Sequence, residues 1–261
     1  MFFFQNMLAV RLKKFLYLIF SFNLSVYKNF ILYGLVPSYE HKSFISSIEK
    51  PDLIIDIGLN KGQFTSFMNL YFKDSKIIGF EPLSEDFAIA EKALKSHNNI
   101  NIYQYAIGDK KENKLINISK SSDSSSFLPQ TPLQSEIFGG TEPSLIQEET
   151  KIRTIDSFDI DFKSSKKALL KIDVQGYELK VLRGMKNKLK EIGDIYVECS
   201  FIELYKDQCL YDDIKSYLSE YNFFEFKRYN EHYYNNKIVQ ADIHFKKSFL
   251  PNDASKPEIN T

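Results

Sequence analysis

Four acidic residues occupy positions from which a carboxylate could do chemistry. Each lies at or near the carboxyl end of a short apolar run: Asp56, Glu81, Asp173 and Glu198. Such runs are typical of buried parallel strands, and in open α/β sheets ligands bind at the carboxyl ends of the strands. Carboxylates gathered at that edge suit a ligand that is cationic and rich in hydroxyl groups. One of them could also accept the proton of a reacting hydroxyl.

A glycine loop follows the first apolar run. Gly58 and Gly62 frame a turn that leads into a helical pattern, so backbone N–H groups could face a ligand. The dinucleotide fingerprint has a glycine two residues after the first, where a pyrophosphate approaches the backbone. Asn60 stands at that position and would crowd a pyrophosphate. A nucleoside ligand without a pyrophosphate therefore fits better, and a plain strand–helix turn is the alternative.

Glu81 favours the nucleoside over the plain turn. It lies 23 residues after Gly58, at the expected end of the second strand. An acidic residue about 20 residues after the glycine loop binds ribose hydroxyls in dinucleotide-binding folds. The sequence therefore predicts that Glu81 binds a ribose.

Two further candidates could serve in catalysis or in structure. His244 alternates with Gln240 and Asp242 along the expected last strand, so the three side chains share one face. His244 is a candidate base, with a hydrogen-bonded structural histidine as the alternative. Lys171 lies within an expected buried strand, where an ion pair with Glu198 or Asp173 would offset its burial.

The elements that must position these residues alternate between strand and helix. Apolar runs predict parallel strands over 53–57, 77–80, 100–105, 168–173 and 192–198. Helical spacing separates most of them, and 223–228 with 238–245 is expected as a closing antiparallel pair. This order predicts a mostly parallel α/β sheet with helices on both faces. Residues 109–150 show no periodicity, and their serine-rich part, 121–126, either covers the substrate or is a plain polar loop.

The chain is expected to have three parts. Residues 1–50 form a hydrophobic, amphipathic helical segment, 51–248 a single catalytic domain and 249–261 a disordered tail. The longest uncharged stretch near the N-terminus, 15–27, is too short for a membrane span of about 20 residues. Arg11, Lys13 and Lys14 beside aromatic residues allow the segment to pack on the domain or to lie on a membrane surface.

Composition excludes several classes of protein. The chain has 261 residues with 34 Lys+Arg and 34 Asp+Glu. Because basic residues are not in excess, a nucleic-acid partner is not expected. A hydrophobic fraction of 43% is that of a globular protein rather than a disordered one. Two cysteines make no disulfide framework, and no Cys/His spacing or compact carboxylate pair indicates a metal site. A cytoplasmic protein fits best, with peripheral contact to the inner face of the membrane as an addition.

Together, the ordered motifs resemble those of the FkbM-type methyltransferases. The resemblance runs from about residue 53 to residue 245. The motifs that carry it are DIGLNKG at 56–62, FEP at 80–82, AIGD at 106–109, RTID at 153–156, LKIDVQGYE at 170–178, VE at 197–198 and AD at 241–242. Two positions depart from the family pattern, since Leu59 stands where alanine is usual and His244 where an apolar residue is usual.

The resemblance implies a class I methyltransferase fold, a Rossmann-like, mostly parallel seven-stranded sheet with an antiparallel last strand. It also implies S-adenosylmethionine as the cofactor and O-methylation of a sugar, glycan or secondary metabolite, as in polysaccharide biosynthesis. The cofactor-binding residues carried over are Asp56 at the amino group, Gly58, Asn60 and Gly62 at the methionine and ribose, Glu81 at the ribose diol, Ala106, Ile107 and Asp109 at the adenine, and Asp173 beside the methyl group. Asp173, Glu198 and His244 are the catalytic candidates.

Two alternatives stay open at this point. One is a catalytically silent S-adenosylmethionine-binding or scaffold protein, which the intact set of acidic residues disfavours. The other is a nucleotide-sugar or NAD-binding enzyme, which Asn60 disfavours.

Overall fold

The computed structural model of the protein describes residues 36–139, 143–162, 165 and 167–248. It contains ten strands: β1 Leu53–Ile57, β2 Lys76–Phe80, β3 Ile100–Tyr103, β4 Ala106–Ile107, β5 Glu112–Ser119, β6 Pro143–Arg153, β7 Ala168–Ile172, β8 Asp194–Ser200, β9 Phe223–Tyr234 and β10 Lys237–Lys247. Its α-helices are α1 Lys42–Ile45, α2 Gln63–Tyr71, α3 Ser84–Leu94, α4 Pro132–Phe138, α5 Glu178–Arg183 and α6 Tyr211–Ser219. The expected N-terminal segment up to residue 35 and the expected tail from residue 249 lie outside the described residues.

Seven strands form the main sheet in the order β3-β2-β1-β7-β8-β10-β9. Strands β3, β2, β1, β7 and β8 run parallel, and β10 pairs antiparallel with both β8 and β9. This is the class I methyltransferase sheet, so the predicted fold class is confirmed. The order reverses between β1 and β7, which creates a crevice at their carboxyl ends.

Apolar residues cover both faces of the central strands, which explains why β1 and β7 are hydrophobic without alternation. Every residue of β1 and β7 is buried. One face packs against α1 and α2 through Phe44 and Phe67. The other packs against α5 and α6 through Val181, Leu182 and Ile214. The buried faces hold the strand ends, and therefore the acidic residues, at fixed positions.

The expectation of an irregular stretch over 109–150 is wrong. This part of the chain contains β5, α4 and most of β6, and a second, three-stranded sheet has the order β4-β6-β5. Most residues of β5 are partly or fully exposed, and three of the four residues at 148–151 in β6 are charged. Strands that are exposed on much of their surface lack the apolar signal on which a strand prediction depends.

Two smaller boundaries also differ from expectation. The third strand ends at Tyr103, and Ala106–Ile107 belongs instead to the second sheet. The helix expected over 177–189 ends at Arg183. Gly184 follows, and a Cβ atom there would lie 1.9 Å from the carbonyl oxygen of Gly108, so the backbones touch at this point.

Within the described residues no helix is long and apolar enough to cross a membrane.

Candidate functional site

A cleft of about 620 Å³, open in part to solvent, lies at the carboxyl ends of β1, β2 and β7. Its floor includes the turn after β1 at Gly58, and Glu81 and Asp173 stand on its walls. Residues of the second sheet and of the serine-rich segment close the other side, among them Ile116 and Phe127. The crevice predicted from the sheet order is therefore a formed site.

Gly58 makes the floor of the cleft bare. It adopts φ 80°, and a Cβ atom built on it would lie 1.8 Å from the carbonyl oxygen of Asp173. No side chain fits between the β1 turn and the β7 turn. Gly62 also has a positive φ, 90°, but packs against Leu94 of α3 and does not line the cleft. The structure thus shows a packing contact for Gly62, and its contact with a ligand stays a prediction.

Asn60 lines the cleft in the left-handed conformation that asparagine tolerates, with φ 51°. Its side-chain oxygen accepts a hydrogen bond from the Lys61 N–H at 2.8 Å, and its Nδ2 donates to Asp86 at 3.2 Å. The Asn60 side chain is therefore held in place at the cleft.

Glu81 is the most enclosed carboxyl group of the cleft wall, with 5% of its surface exposed. Its Oε2 accepts a hydrogen bond from the Asn60 N–H at 2.8 Å, and its Oε1 accepts one from the Leu83 N–H at 2.9 Å. Burial raises the pKa of Glu81 to about 8, although the two backbone donors act in the opposite direction. The group is therefore fixed on the cleft wall, where its oxygens can form further hydrogen bonds with a ligand.

The expected adenine end of the cleft is apolar. Ala106 and Ile107 line it as predicted, beside Tyr105 and Phe80. Asp109 does not line it, because its carboxylate turns to Lys180 and forms an ion pair of 2.8 Å. The predicted role of Asp109 in ligand binding therefore has no support in the geometry.

Asp56 also lies away from the cleft. It is fully buried, accepts a hydrogen bond from the Thr65 hydroxyl at 2.8 Å and pairs with Lys171 at 3.3 Å. Burial alone would lower the pKa of Lys171, but the carboxylates of Asp56 and Asp173 raise it above its ordinary value. Lys171 also donates to the Gly58 carbonyl at 2.9 Å, so it ties β1 to β7 beneath the cleft.

Asp173 lines the cleft, and 36% of its side chain is exposed. Lys171 lies 3.7 Å from it, so of the two expected ion pairs the one with Asp173 is present. Glu198 does not line the cleft but reaches Asp173 through one residue. Gln175 Nε2 donates at 2.8 Å to Asp173 and at 2.8 Å to Glu198.

Sequence reasoning missed Gln175 as a site residue. Its backbone has φ 54°, its carbonyl accepts a hydrogen bond from the Ser126 hydroxyl at 2.6 Å, and its Oε1 accepts one from Tyr205 at 2.8 Å. The turn is further held by Glu178, which accepts from the N–H groups of Val174 and Gly176. Burial raises the pKa of Glu178 to about 7. In the sequence, the only signal for Gln175 is its position before Gly176. That position indicates a turn rather than a residue that links Asp173 to Glu198.

The structure does not bring His244 to the site. The ring is fully buried at the opposite end of β8, where Nε2 lies 2.6 Å from Asp194 and Phe44 contacts it edge-on. Asp194 precedes Glu198 by four residues, about 13 Å along a strand. The candidate base is therefore the structural alternative, a hydrogen-bonded histidine of the sheet.

The serine-rich segment lies on the cleft. Ser122, Asp123 and Ser125 line it together with Phe127. Of the two readings of 121–126, a cover over the ligand fits the structure.

Among the described residues no group of three His, Cys, Asp or Glu side chains could hold a metal ion. That no metal is needed stays a prediction.

Comparison with known proteins gives a family match across the cleft. A model of the Methyltransferase FkbM domain matches residues 56–225. Methyltransferase 1 of Beauveria bassiana is 26% identical over 159 residues, which are 54% of this chain and 61% of that protein. The match thus spans less than two thirds of the length of this curated relative.

Two solved structures are similar to most of the chain. An uncharacterized protein from Listeria monocytogenes is 12% identical in sequence, with a TM-score of 0.46. The match covers 84% of this chain and 71% of the Listeria chain. Magnesium protoporphyrin IX methyltransferase from Synechocystis, solved with bound S-adenosylmethionine, has 9% identity and a TM-score of 0.44, covering 81% and 77%.

Proposed function

The chain belongs to the FkbM methyltransferase domain family, and from this premise we propose that it transfers a methyl group from S-adenosylmethionine to a hydroxyl of a sugar, glycan or secondary metabolite. The observation that carries the proposal is the arrangement of the cleft. The cleft combines apolar side chains with a buried carboxyl group, Glu81, and a more exposed carboxylate, Asp173.

The residues of the cleft fit this cofactor. Glu81, fixed by two backbone N–H groups, would accept hydrogen bonds from the ribose diol. Ala106 and Ile107 would hold the adenine, and the bare turn at Gly58 would accommodate the methionine part. Asp173 would stand beside the positive charge of S-adenosylmethionine. Asn60 disfavours NAD, because a side chain stands where the dinucleotide fingerprint has a glycine against the pyrophosphate.

When bound, S-adenosylmethionine supplies a methyl group that a nucleophile displaces directly from sulfur. The contribution of the protein is to align the acceptor hydroxyl with that methyl group and to exclude water. Asp173 is placed to orient the hydroxyl and to accept its proton. Gln175 holds Asp173 and Glu198 together, so Glu198 supports Asp173 from the next strand.

Calorimetry tests the cofactor directly. We expect S-adenosylmethionine and S-adenosylhomocysteine to bind and NAD not to bind. A signal with NAD and none with either of the other two would refute the proposal and favour the nucleotide-sugar or NAD-binding alternative.

Methyl transfer needs its own test, because binding alone would also suit a scaffold protein. We expect label from methyl-labelled S-adenosylmethionine to appear in a carbohydrate or small-molecule fraction of a cell extract. A methyl ether survives mild alkali, whereas a methyl ester does not, so the label should be stable to alkali. Cofactor binding without any labelled product would leave the scaffold alternative.

We further propose that no metal is required. Activity should be unchanged by EDTA. Loss of activity in EDTA that magnesium restores would contradict this proposal.

A further inference from the structure

The loop after β8 places one tyrosine hydroxyl where the turn after β7 and the serine-rich segment meet. We propose that this residue, Tyr205, is a positioning residue for methyl transfer. Its hydroxyl group holds the carboxamide of Gln175 in the orientation in which that amide aligns Asp173 with the acceptor. The inference rests on the proposed function and deepens it, because Tyr205 does not itself line the cleft.

The carboxamide of Gln175 donates hydrogen bonds to two carboxyl groups. Its Nε2 donates at 2.8 Å to Asp173 Oδ1 and at 2.8 Å to Glu198 Oε2. A side-chain amide has two N–H hydrogens, so this end of the group is fully used. The position of Asp173 therefore depends on which end of the amide faces it.

The opposite orientation of the amide would be unfavourable. A rotation by half a turn would place Oε1, which has no hydrogen to donate, against the oxygens of Asp173 and Glu198. Those two carboxyl groups already disfavour each other, since Asp173 adds to burial in raising the pKa of Glu198 well above its ordinary value. The alignment of Asp173 thus needs a group that keeps Oε1 on the other side.

Tyr205 is that group. Its hydroxyl donates to Gln175 Oε1 at 2.8 Å, and only 1% of the residue is exposed. The ring packs in an apolar cluster with Ile137, Leu204 and Val239, which fixes the position of the hydroxyl. A polar atom that loses its partner beside buried groups costs free energy, so removal of the hydroxyl should release the amide from its orientation.

The same hydroxyl also reaches the serine-rich segment. It lies 3.0 Å from the carbonyl oxygen of Ser124, so two carbonyl oxygens can share its one proton. Gln130 Nε2 donates to the same Ser124 oxygen at 3.1 Å. Ser124 therefore keeps a donor when the proton of Tyr205 goes to Gln175.

The backbone around Tyr205 is held independently of its hydroxyl. Residues Gln130 and Tyr205 form an antiparallel bridge, and the Lys206 N–H donates to the Pro129 carbonyl at 2.8 Å. Gln208 Oε1 accepts a hydrogen bond from the Tyr205 N–H at 2.5 Å. Removal of the hydroxyl alone should leave this backbone in place, and with it the segment that covers the cleft.

Tyr205→Phe in the full chain removes the hydroxyl and keeps the ring. Methyl transfer is measured with labelled S-adenosylmethionine and the extract fraction that accepts the label. We expect kcat to fall about tenfold, because the reacting groups are less well aligned. The KM for S-adenosylmethionine and the Kd of S-adenosylhomocysteine should stay within about twofold, whereas a merely structural role would change binding and rate together.

The side-chain amide of Gln175 gives a second readout that needs neither acceptor nor turnover. In NMR spectra of the isotope-labelled full chain saturated with S-adenosylhomocysteine, its signal is identified by its loss in Gln175→Leu. We expect its hydrogens to exchange with solvent about tenfold faster in Tyr205→Phe than in the wild type, because the amide has lost the donor at Oε1.

Tyr229→Phe is the matched control. Tyr229 is also buried, with 7% exposed, and its hydroxyl lies 2.6 Å from the Ser47 hydroxyl, away from Gln175. This variant should keep the wild-type kcat and the wild-type exchange of the Gln175 amide. Gln175→Leu covers the case in which Tyr205→Phe does not fold, since it leaves Tyr205 in place and should lower kcat at least as much, with the same KM.

Three results would overturn the inference while leaving the proposed function intact. They are a normal kcat in Tyr205→Phe or in Gln175→Leu, unchanged exchange of the amide in Tyr205→Phe, and a folded Tyr205→Phe protein in which KM rises as kcat falls. A wild-type chain that does not bind S-adenosylhomocysteine, or that transfers no label, would instead refute the proposed function, and the role of Tyr205 with it.

Discussion

The two carboxyl groups of the cleft are held in different ways. Glu81 is enclosed and fixed by two backbone N–H groups, which suits a constant hydrogen-bonding role toward a ligand. Asp173 is partly exposed and shares its surroundings with a cation, Lys171, and a neutral amide, Gln175. It is therefore the carboxylate best placed to exchange a proton with an acceptor.

Asp173→Asn should reduce turnover by about 10²-fold or more, because an amide cannot accept the hydroxyl proton. Cofactor binding and folding should be largely retained, since Lys171 keeps its pair with Asp56. Initial rates with labelled S-adenosylmethionine measure the effect. Asp109→Asn, a carboxylate paired with Lys180 outside the cleft, is the control and should keep its activity. A normal rate in the Asp173 variant would show that this residue is a helix-capping or structural group.

Glu81 and Glu178 should make the protein less stable as the pH rises. Both have folded-state pKa values raised from 4.5, to about 8 and about 7, so the folded protein holds protons that the unfolded chain has released. The free energy of unfolding should therefore decrease from about pH 4.5 to about pH 8. Urea unfolding at a series of pH values measures the slope. Glu81→Gln should flatten it, and an unchanged slope would contradict the assignment.

At the level of elements, the strand–helix turn after β1 determines whether the cleft exists. Gly58 lies against the backbone of the β7 turn, so the two turns are in contact where the strand order reverses. The serine-rich segment is attached to the same β7 turn, through the hydrogen bond from Ser126 to the Gln175 carbonyl. The Gly58 turn, which forms the floor of the cleft, and the serine-rich segment, which covers it, thus both contact the turn after β7.

Gly58→Ala should destabilise the protein by about 3–5 kcal/mol, because the strain of a positive φ adds to overpacking against a carbonyl oxygen. Gly139→Ala is a matched control. Gly139 also has a positive φ, 52°, but among the described residues none beyond its chain neighbours has an atom within 4 Å of a Cβ built there. It should cost only about 1–3 kcal/mol from strain. Denaturant unfolding of both variants measures the difference, and equal effects would show that the contact with Asp173 is unimportant.

For the protein as a unit, the described residues before β1 already belong to the packed domain. Phe44 is fully buried, and its ring stacks on Tyr196 with centroids 3.8 Å apart. The domain boundary at residue 50 stays a prediction, and a truncation must keep Phe44 to leave this face of the sheet covered.

A chain that begins at Val36 should bind S-adenosylhomocysteine like the full chain, because every residue assigned to the cleft lies after that point. We propose that the removed segment, with Arg11, Lys13 and Lys14, contacts a membrane surface. Calorimetry and sedimentation with anionic vesicles measure the two properties. Loss of cofactor binding on truncation would contradict the first expectation, and equal vesicle binding by both chains the second.

The fold class and much of the cleft could be predicted from the order of residue types along the chain. Hydrophobic runs at β1 and β7 are local signals, because strands buried on both faces must be apolar along their whole length. The glycine turn and Glu81 could equally be predicted, since the order of residues along the chain places them at the ends of adjacent strands. These features require no knowledge of which side chain meets which across the sheet.

Which acidic residues and other candidates reach the cleft depends on long-range contacts in the folded chain. Asp56 and Asp109 stand at strand ends like Asp173, yet pairing with Lys171 and Lys180 turns them away from it. His244 alternates with Asp242 along β10, but the antiparallel direction of that strand carries it to the opposite end of the sheet. Ion pairing and strand direction depend on contacts between residues far apart in sequence, and the pattern of residue types along the chain does not contain them.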